Sequence, residues 1–288
     1  MTHTQAVNRP RTLGTTGLAV SPIGLGLAAL GRPGYINLGR DQDLGDDRGV
    51  AAMEARAHEV LDEAWRLGVR YLDAARSYGR AEAFLATWLA ARGVAPSEVT
   101  LGSKWGYTYT ADWRVDAEAH EVMDHGFAAF DRQWPESRAL LGAHLDLYQI
   151  HSLTLASPAL DDREPLERAA GPALAEARAA GVGVIVKEAL ANGRLTEPDT
   201  DTDFADRRAA LRAEARRLGT TPDALALAAA LARPWADVVL SGAATAAQLR
   251  SNLRALAVVW GGEAEAALAG LAEDSGAYWQ RRQRLAWS

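Results

Sequence analysis

The sequence predicts an α/β protein built as a shortened (β/α) barrel of the TIM type. Apolar runs of strand length alternate along the chain with helical patterns of about 10 to 20 residues, which is typical of parallel strands joined by helices. No Gly-x-Gly-x-x-Gly follows an early strand, which counts against a Rossmann domain. The candidate catalytic residues follow predicted strand ends, where a barrel places its active site.

The composition is that of a soluble globular protein rather than of a nucleic-acid or membrane protein. The 288 residues are 48% apolar and 24% charged, with a net charge of −6, and can form one large domain or two ordinary ones. The predicted barrel favours a single domain over residues 1–288. Lys and Arg are scattered, which argues against binding to nucleic acid or anionic membranes. The chain lacks cysteine, which excludes disulfides and thiolate chemistry and suits a reducing compartment. No apolar run is long enough to span a bilayer and no signal peptide is evident, so we expect a cytoplasmic location.

The predicted elements follow one another in the order that a barrel requires. Residues 11–26 form an N-terminal β-hairpin and the first barrel strand, and Gly31–Asp47 forms a long loop. Helical periodicity predicts helices at Arg56–Leu67, Glu82–Ala91, Ala117–Leu141 with a break at Pro135, Pro172–Ala180, Phe204–Ala232 as one or two helices, Ala246–Ala255 and an amphipathic tail. Apolar runs predict the other five barrel strands at Arg70–Ala74, Val99–Lys104, Leu145–His151, Gly183–Glu188 and Val238–Ser241.

Four titratable residues lie at the ends of three successive predicted strands. Asp73 and Tyr78 follow the first of them, Lys104 ends the second and His151 ends the third. A phenol is a poor acid at neutral pH, since its ordinary pKa is about 10, and a nearby ammonium lowers that value. Lys104 can supply this ammonium, Asp73 can hold it in place, and His151 can donate a hydrogen bond to a substrate oxygen. The set predicts proton donation to a carbonyl.

The same stretches resemble the aldo-keto reductases along nearly the whole chain. LDAARSYGRAE (Leu72–Glu82) is similar to the Asp-x-Ala-x-x-Tyr-Gly-x-x-Glu motif of that family, LGSKWG contains its lysine and DLYQIHS its histidine. KEALANGRL resembles the pyrophosphate-binding segment and LSGAATAAQLRSNL the adenosine-binding one. The resemblance implies a TIM barrel, Tyr78 as the general acid and NADPH or NADH as the cofactor. It implies cofactor-binding roles for Leu190, Gly193, Arg194, Gly242, Gln248 and Asn252.

Each catalytic candidate also has an ordinary structural interpretation. Taken alone, Asp73 is typical of a helix cap, Tyr78 of a half-buried wall residue, Lys104 of a solvated strand end and His151 of a hydrogen-bonded structural histidine. The four together favour catalysis, because chance rarely gathers them at one rim of a sheet.

Further residues near the same rim allow two interpretations. Four aromatic residues either line a substrate pocket or pack the barrel mouth: Tyr35, Trp105, Tyr107 and Tyr109. Lys187 and Glu188 either contact the ligands or pair with each other. A C-terminal group either caps the mouth or forms a subunit contact: Trp279, Arg281 and Arg282. His125 and His144 are expected to be ordinary surface or capping residues.

The sequence departs from the family pattern after the histidine strand. About 31 residues separate His151 from Gly183, which leaves room for one helix and no additional strand. We therefore expect six barrel strands, with Asp161–Ala177 joining parts that are normally distant, and without the Ser-Asn pair and Gln that hold the nicotinamide in the family. Six strands must close tightly, leave a gap or borrow elements from a second chain, so a homo-oligomer is one possibility.

These observations predict an NAD(P)H-dependent oxidoreductase that reduces a small aldehyde or ketone. The alternative is a catalytically weak or inactive protein of the same fold with a binding or regulatory role. No metal is expected, because the six histidines lack ligand spacing. The choice between NADPH and NADH stays open: neither Gly242–Ala244 nor position 248 supplies a cation for a 2′-phosphate, and Arg250 and Arg194 are the nearest.

Overall fold

A computed structural model describes residues 9–36, 40–152, 170–197 and 204–288. The strands are β1 (Arg11–Thr12), β2 (Ala19–Val20), β3 (Ile23–Gly26), β4 (Tyr71–Asp73), β5 (Thr100–Trp105), β6 (Tyr107–Tyr109), β7 (Glu121–Met123), β8 (Leu145–Ile150), β9 (Ile185–Val186) and β10 (Val238–Ser241). The α-helices are Arg40–Leu44, Val50–Arg66, Ala81–Arg92, Phe127–Leu141, Ala170–Ala179, Ala205–Arg217, Pro222–Leu231, Ala246–Leu253, Gly262–Leu268 and Ser275–Gln283.

Six parallel strands form the central sheet, in the order β8-β5-β4-β3-β10-β9. The strands alternate with helices along the chain, so the predicted α/β class and the six-stranded, shortened barrel are confirmed. β1 and β2 pair in antiparallel register, with Arg11 opposite Val20, and confirm the N-terminal hairpin. Within the described residues, no helix is long and apolar enough to cross a bilayer.

The two helices that follow β3 and β4 pack on the sheet through apolar side chains. In the helix Val50–Arg66, the buried residues recur at helical spacing: Met53, Ala57, Val60, Leu61 and Ala64. The helix Ala81–Arg92 buries Phe84, Leu85, Trp88 and Leu89 and ends at Gly93, whose positive φ of 61° provides a left-handed C-cap. Each fully buried large apolar side chain contributes about 1.5–3 kcal/mol. This burial holds the helices against β3, β4 and β5.

Two predicted elements were wrong. The segment Ala117–Leu141 is not largely helical: its first part contains β7, which pairs with β6 as an antiparallel hairpin, and the helix runs only over Phe127–Leu141. That helix continues through Pro135 instead of breaking there, so it loses only the hydrogen bond that an amide at this position would donate to residue 131. The loop Gly31–Asp47 includes the short helix Arg40–Leu44.

The sheet does not close within the described residues, because β8 and β9 are its two edge strands. Apolar side chains are exposed near these edges, with exposed fractions of 36% at Ile150, 54% at Val182 and 75% at Phe127. Positions 161–169 of the predicted join lie outside the described residues. Its remaining positions, 170–177, belong to the helix Ala170–Ala179. The architecture is thus a half-barrel sheet, and its C-terminal strand ends share one rim.

Candidate active site

The parallel register brings the ends of β4, β5 and β8 side by side. Asp73 is the last residue of β4 and pairs with Gly102 of β5, while Lys104 of β5 pairs with Gln149 of β8. His151 follows β8 directly, and Tyr78 lies in the turn before the helix Ala81–Arg92. Side chains from the three strands therefore meet at one end of the sheet, as the sequence predicted.

Asp73 and Lys104 form a buried ion pair. The Lys104 Nζ donates to Oδ1 of Asp73 and, at 2.9 Å, to the carbonyl oxygen of Ala74. The same Nζ lies 5.0 Å from the centroid of the Tyr78 ring. The ammonium therefore sits beside the phenol, fixed there by the carboxylate.

Tyr71 supports this ion pair from inside the sheet. Its hydroxyl donates to Oδ2 of Asp73 at 3.1 Å, so the carboxylate has a separate partner on each oxygen. Burial and the negative charge of Asp73 raise the pKa of Tyr71 above its ordinary value, so it remains a hydrogen-bond donor. The sequence analysis missed Tyr71, although its position two residues before Asp73 on the same strand places both side chains on one face.

The ring of Tyr71 fits because its neighbours on both adjacent strands are glycines. A Cβ on Gly24 of β3 would lie 2.7 Å from Cδ1 of Tyr71, and a Cβ on Gly102 of β5 would lie 2.6 Å from its hydroxyl oxygen. No real side chain tolerates such distances without a shift. The glycines thus leave the space that lets Tyr71 reach Asp73.

Tyr78 is buried, and it is protonated at neutral pH. Burial raises the pKa of Tyr78 well above its ordinary value, the charge of Asp73 raises it further, and Arg32 opposes both. The expected lowering of this pKa by Lys104 does not prevail here, because Asp73 neutralises the ammonium and burial penalises the phenolate. The phenol is therefore held in its acid form.

His151 lies against Tyr78 as a neutral imidazole. The two rings meet edge to face with centroids 5.4 Å apart. Burial, together with the charges of Lys104 and Lys187, lowers the pKa of His151 to about 2. The Nδ1 atom lies 3.3 Å from the hydroxyl oxygen of Ser77. A Ser77 hydroxyl that donates to Nδ1 leaves the imidazole proton on Nε2, where it is available to a substrate oxygen.

His125 holds the backbone of His151. Its Nε2 lies 2.8 Å from the carbonyl oxygen of His151, and its side chain is buried. The prediction of an ordinary surface or capping residue was therefore wrong for His125. The Nε2 of His144 lies 2.9 Å from the carbonyl oxygen of Val94, just beyond the helix Ala81–Arg92.

A cavity of about 1020 Å³ runs from these residues along the rim of the sheet. Asp73, Tyr78 and His151 lie in its wall, and Lys104 lies behind them. Aromatic and cationic side chains line the cavity at this catalytic end: Arg32, Tyr35, Tyr107, Lys187, Trp279, Arg282 and Trp287. Of the predicted aromatic residues, Trp105 and Tyr109 do not line it. Trp105 packs against Phe130 instead, with ring centroids 5.1 Å apart.

The C-terminal residues close the mouth of the catalytic end. The backbones of Tyr35 and Ser288 exchange two hydrogen bonds, of 3.1 and 3.0 Å. The guanidinium of Arg32 lies 4.7 Å from the ring centroids of both Tyr35 and Trp287. Trp287 was missed in the sequence, where a tryptophan next to the last residue carries no local pattern.

Two arginines of the C-terminal helix Ser275–Gln283 form ion pairs with other parts of the chain. Arg282 pairs with Glu188 at 2.8 Å, so Glu188 is engaged by Arg282 rather than by Lys187. Lys187 lies 3.4 Å from the hydroxyl of Ser152. Arg281 pairs with Glu273 at 2.8 Å.

The other end of the cavity contains five of the six predicted cofactor-binding residues: Leu190, Gly193, Gly242, Gln248 and Asn252. Arg194 is not in the cavity wall. It pairs with Glu273 at 2.8 Å, and its guanidinium lies 4.5 Å from the ring centroid of Phe204. The structure thus places this predicted cofactor-binding residue in an ion pair with Glu273.

The cavity suits a nicotinamide dinucleotide in size and in chemistry. Its volume is at the upper end for ligand pockets, as an extended dinucleotide with a small substrate requires. A Cβ on Gly242 would meet nothing within 4 Å, so the backbone at the end of β10 is open to a ligand. Neutral polar side chains that can pair with ribose and adenine line this end: Thr221, Gln248, Ser251 and Asn252. Within the described residues, no group of three or more His, Asp or Glu side chains could hold a metal ion.

Comparison with known proteins identifies one family. The model of the aldo/keto reductase family matches residues 22–181, which is more than half of the chain. A pyridoxal 4-dehydrogenase from Microbacterium luteolum is 29% identical over 200 residues, which cover 59% of this chain and 52% of that protein. The chain thus spans about half the length of this curated relative.

The fold is similar to that of a solved aldo-keto reductase. The holo form of AKR11C1 from Bacillus halodurans superposes with a TM-score of 0.65 over 92% of this chain and 96% of that one. The two sequences are 21% identical, so this likeness concerns the fold alone.

Proposed function

The chain belongs to the aldo/keto reductase family, and on that premise we propose that it is an oxidoreductase that uses a nicotinamide dinucleotide to reduce an aldehyde or ketone to an alcohol. One observation supports this proposal above the others. Asp73, Tyr78 and His151 meet in the wall of a cavity that continues to the start of the helix Ala246–Leu253, and Lys104 lies behind them, paired with Asp73.

In the proposed reaction, the chain's own residues bind the carbonyl oxygen and protonate it. The dinucleotide supplies the hydride when it is bound. His151, neutral and protonated on Nε2, donates a hydrogen bond that orients the carbonyl oxygen. As negative charge develops on that oxygen, the hydroxyl of Tyr78 transfers its proton. The charge that then forms on Tyr78 is stabilised by the ammonium of Lys104, 5.0 Å from the ring centroid.

The residues that would hold the dinucleotide form two groups. The backbone between Leu190 and Gly193 would face the pyrophosphate, together with the first amides of the helix Ala246–Leu253, whose N-terminus favours an anion. Gln248 and Asn252 of that helix would face the adenosine. The aromatic side chains at the catalytic end favour an aromatic aldehyde. The name of the curated relative, a dehydrogenase, makes pyridoxal the first compound to assay, for oxidation as well as for reduction.

The proposal predicts that Tyr78→Phe lowers turnover by about 10² to 10⁴-fold, because the variant lacks the proton donor. The Kd for the dinucleotide, measured by tryptophan fluorescence, should change little. Tyr107→Phe is a matched control, since it removes a hydroxyl from the same cavity wall without touching the proposed acid. Turnover of Tyr78→Phe equal to that of the unmodified protein would show that Tyr78 is not the acid.

A second candidate function is a binding or regulatory role without useful turnover. The observation that favours it is the open sheet: β8, which precedes His151, and β9, which precedes Lys187, are both edge strands within the described residues. A protein that binds the dinucleotide but reduces no carbonyl would support this candidate. The cytoplasmic location and the homo-oligomer expected from the sequence stay predictions.

A further inference from the structure

The far end of the cavity contains a carboxylate from a distant part of the chain. Asp43, on the short helix Arg40–Leu44, accepts a hydrogen bond of 2.7 Å from Nε2 of Gln248. The Oε1 of Gln248 accepts from the backbone amide of Ala244 at 2.8 Å. The Gln248 amide is therefore fixed at both ends and holds the Asp43 carboxylate beside the start of the helix Ala246–Leu253.

The charges in the cavity wall are unevenly distributed. At the Gln248 end, the described lining residues contribute the carboxylates of Asp43, Glu197 and Asp223 and no cation. The lining cations lie toward the catalytic end: Arg32, Lys187 and Arg282. Described arginines in neighbouring segments are engaged elsewhere.

Two arginines illustrate this engagement. Arg250, on the same helix as Gln248, pairs with Glu63 at 3.0 Å. Arg56 donates to the carbonyl oxygen of Leu44 at 2.7 Å. Neither side chain lines the cavity.

We propose that Asp43, held by Gln248, makes the cofactor site select NADH over NADPH. This inference rests on the proposed function, because it assumes that adenosine binds at the Gln248 end. A carboxylate accepts hydrogen bonds from the ribose hydroxyls of NADH. It repels the 2′-phosphate of NADPH, and the described residues that line this end of the cavity supply no cation to that phosphate.

The test is direct binding of NADH and of NADPH to the full chain, by fluorescence titration and calorimetry. We expect the Kd of the unmodified protein for NADH to be lower than its Kd for NADPH by a factor on the order of ten or more. A tenfold ratio of Kd values corresponds to about 1.4 kcal/mol of binding free energy. Asp43→Asn removes the charge and keeps a polar side chain of the same size, so it should tighten NADPH binding and shrink that ratio. Asp43→Ser, as a second variant, should shrink the ratio in the same way if the first variant fails to fold.

Asp116→Asn is the matched control, because its carboxylate is exposed and does not line the cavity. It should leave the ratio of the two Kd values unchanged. Equal affinities in the unmodified protein, or a ratio that Asp43→Asn leaves unaltered, would overturn the inference while the proposed function stands. Failure of both dinucleotides to bind would overturn the proposed function, and the inference with it.

Discussion

At the scale of single residues, the proposed acid Tyr78 depends on the side chains that hold Lys104 in place. Asp73 fixes Lys104, and Tyr71 fixes Asp73 through a hydrogen bond of 3.1 Å. A carboxylate that loses one donor becomes more basic and pairs more strongly with its remaining partner. The charge that Lys104 presents to Tyr78 is then reduced.

We therefore expect Tyr71→Phe to lower turnover by about tenfold, less than Tyr78→Phe, and to shift the alkaline limb of the pH profile of kcat to higher pH. The loss of one hydrogen bond should cost about 1 kcal/mol of stability. Tyr148→Phe is the control, since that hydroxyl contacts Ser137 rather than Asp73. A variant that is less stable but has an unaltered pH profile would mean that Tyr71 only packs the sheet.

At the scale of elements, the site depends on glycines in neighbouring strands. The three strands β3, β4 and β5 approach one another around the Tyr71 ring because positions 24 and 102 lack a side chain. A glycine weakens the strand that contains it, but here it makes room for a side chain from the next strand.

Gly102→Ala should destabilise the protein by about 1–3 kcal/mol and also lower turnover, because the added methyl would displace the Tyr71 hydroxyl from Asp73. Urea unfolding and steady-state kinetics measure the two effects. Gly270→Ala serves as the control, since a Cβ there would meet nothing within 4 Å. A Gly102→Ala protein with normal stability and turnover would contradict this account of the strand contacts.

The elements that the sequence predicted wrongly share one cause. The hairpin of β6 and β7 joins Tyr107 to Met123 across an intervening loop, and such pairing leaves no local period in the sequence. Pro135 suggested a helix break, but the packing of its helix on the sheet compensates for one lost hydrogen bond. In both places tertiary contacts outweigh local preference.

At the scale of the whole molecule, the buried site makes stability depend on pH. The pKa of His151 falls from 6.5 to about 2 on folding, so between these values the unfolded chain binds a proton that the folded chain does not. The free energy of unfolding therefore rises with pH across this window. As pH falls below about 6.5, this one group lowers it by up to about 1.4 kcal/mol per pH unit.

Urea unfolding at several values from about pH 4.5 to 6.5 should show this slope in the unmodified protein. His151→Gln should show a shallower one, because glutamine does not titrate. Equal slopes in the two proteins would mean that His151 keeps an ordinary pKa in the folded state.

The sequence by itself determined the alternation of strands and helices, the six parallel strands and the positions of Asp73, Tyr78, Lys104 and His151 at their ends. These features are local, because side-chain period and strand order are written along the chain and parallel strands share one rim. The tertiary structure alone decided which distant side chains contact one another. Asp43 hydrogen-bonds to Gln248, 205 positions along the chain, and Arg194 pairs with Glu273 instead of lining the cavity. Contacts between distant segments depend on how the whole core packs, so no local pattern announces them.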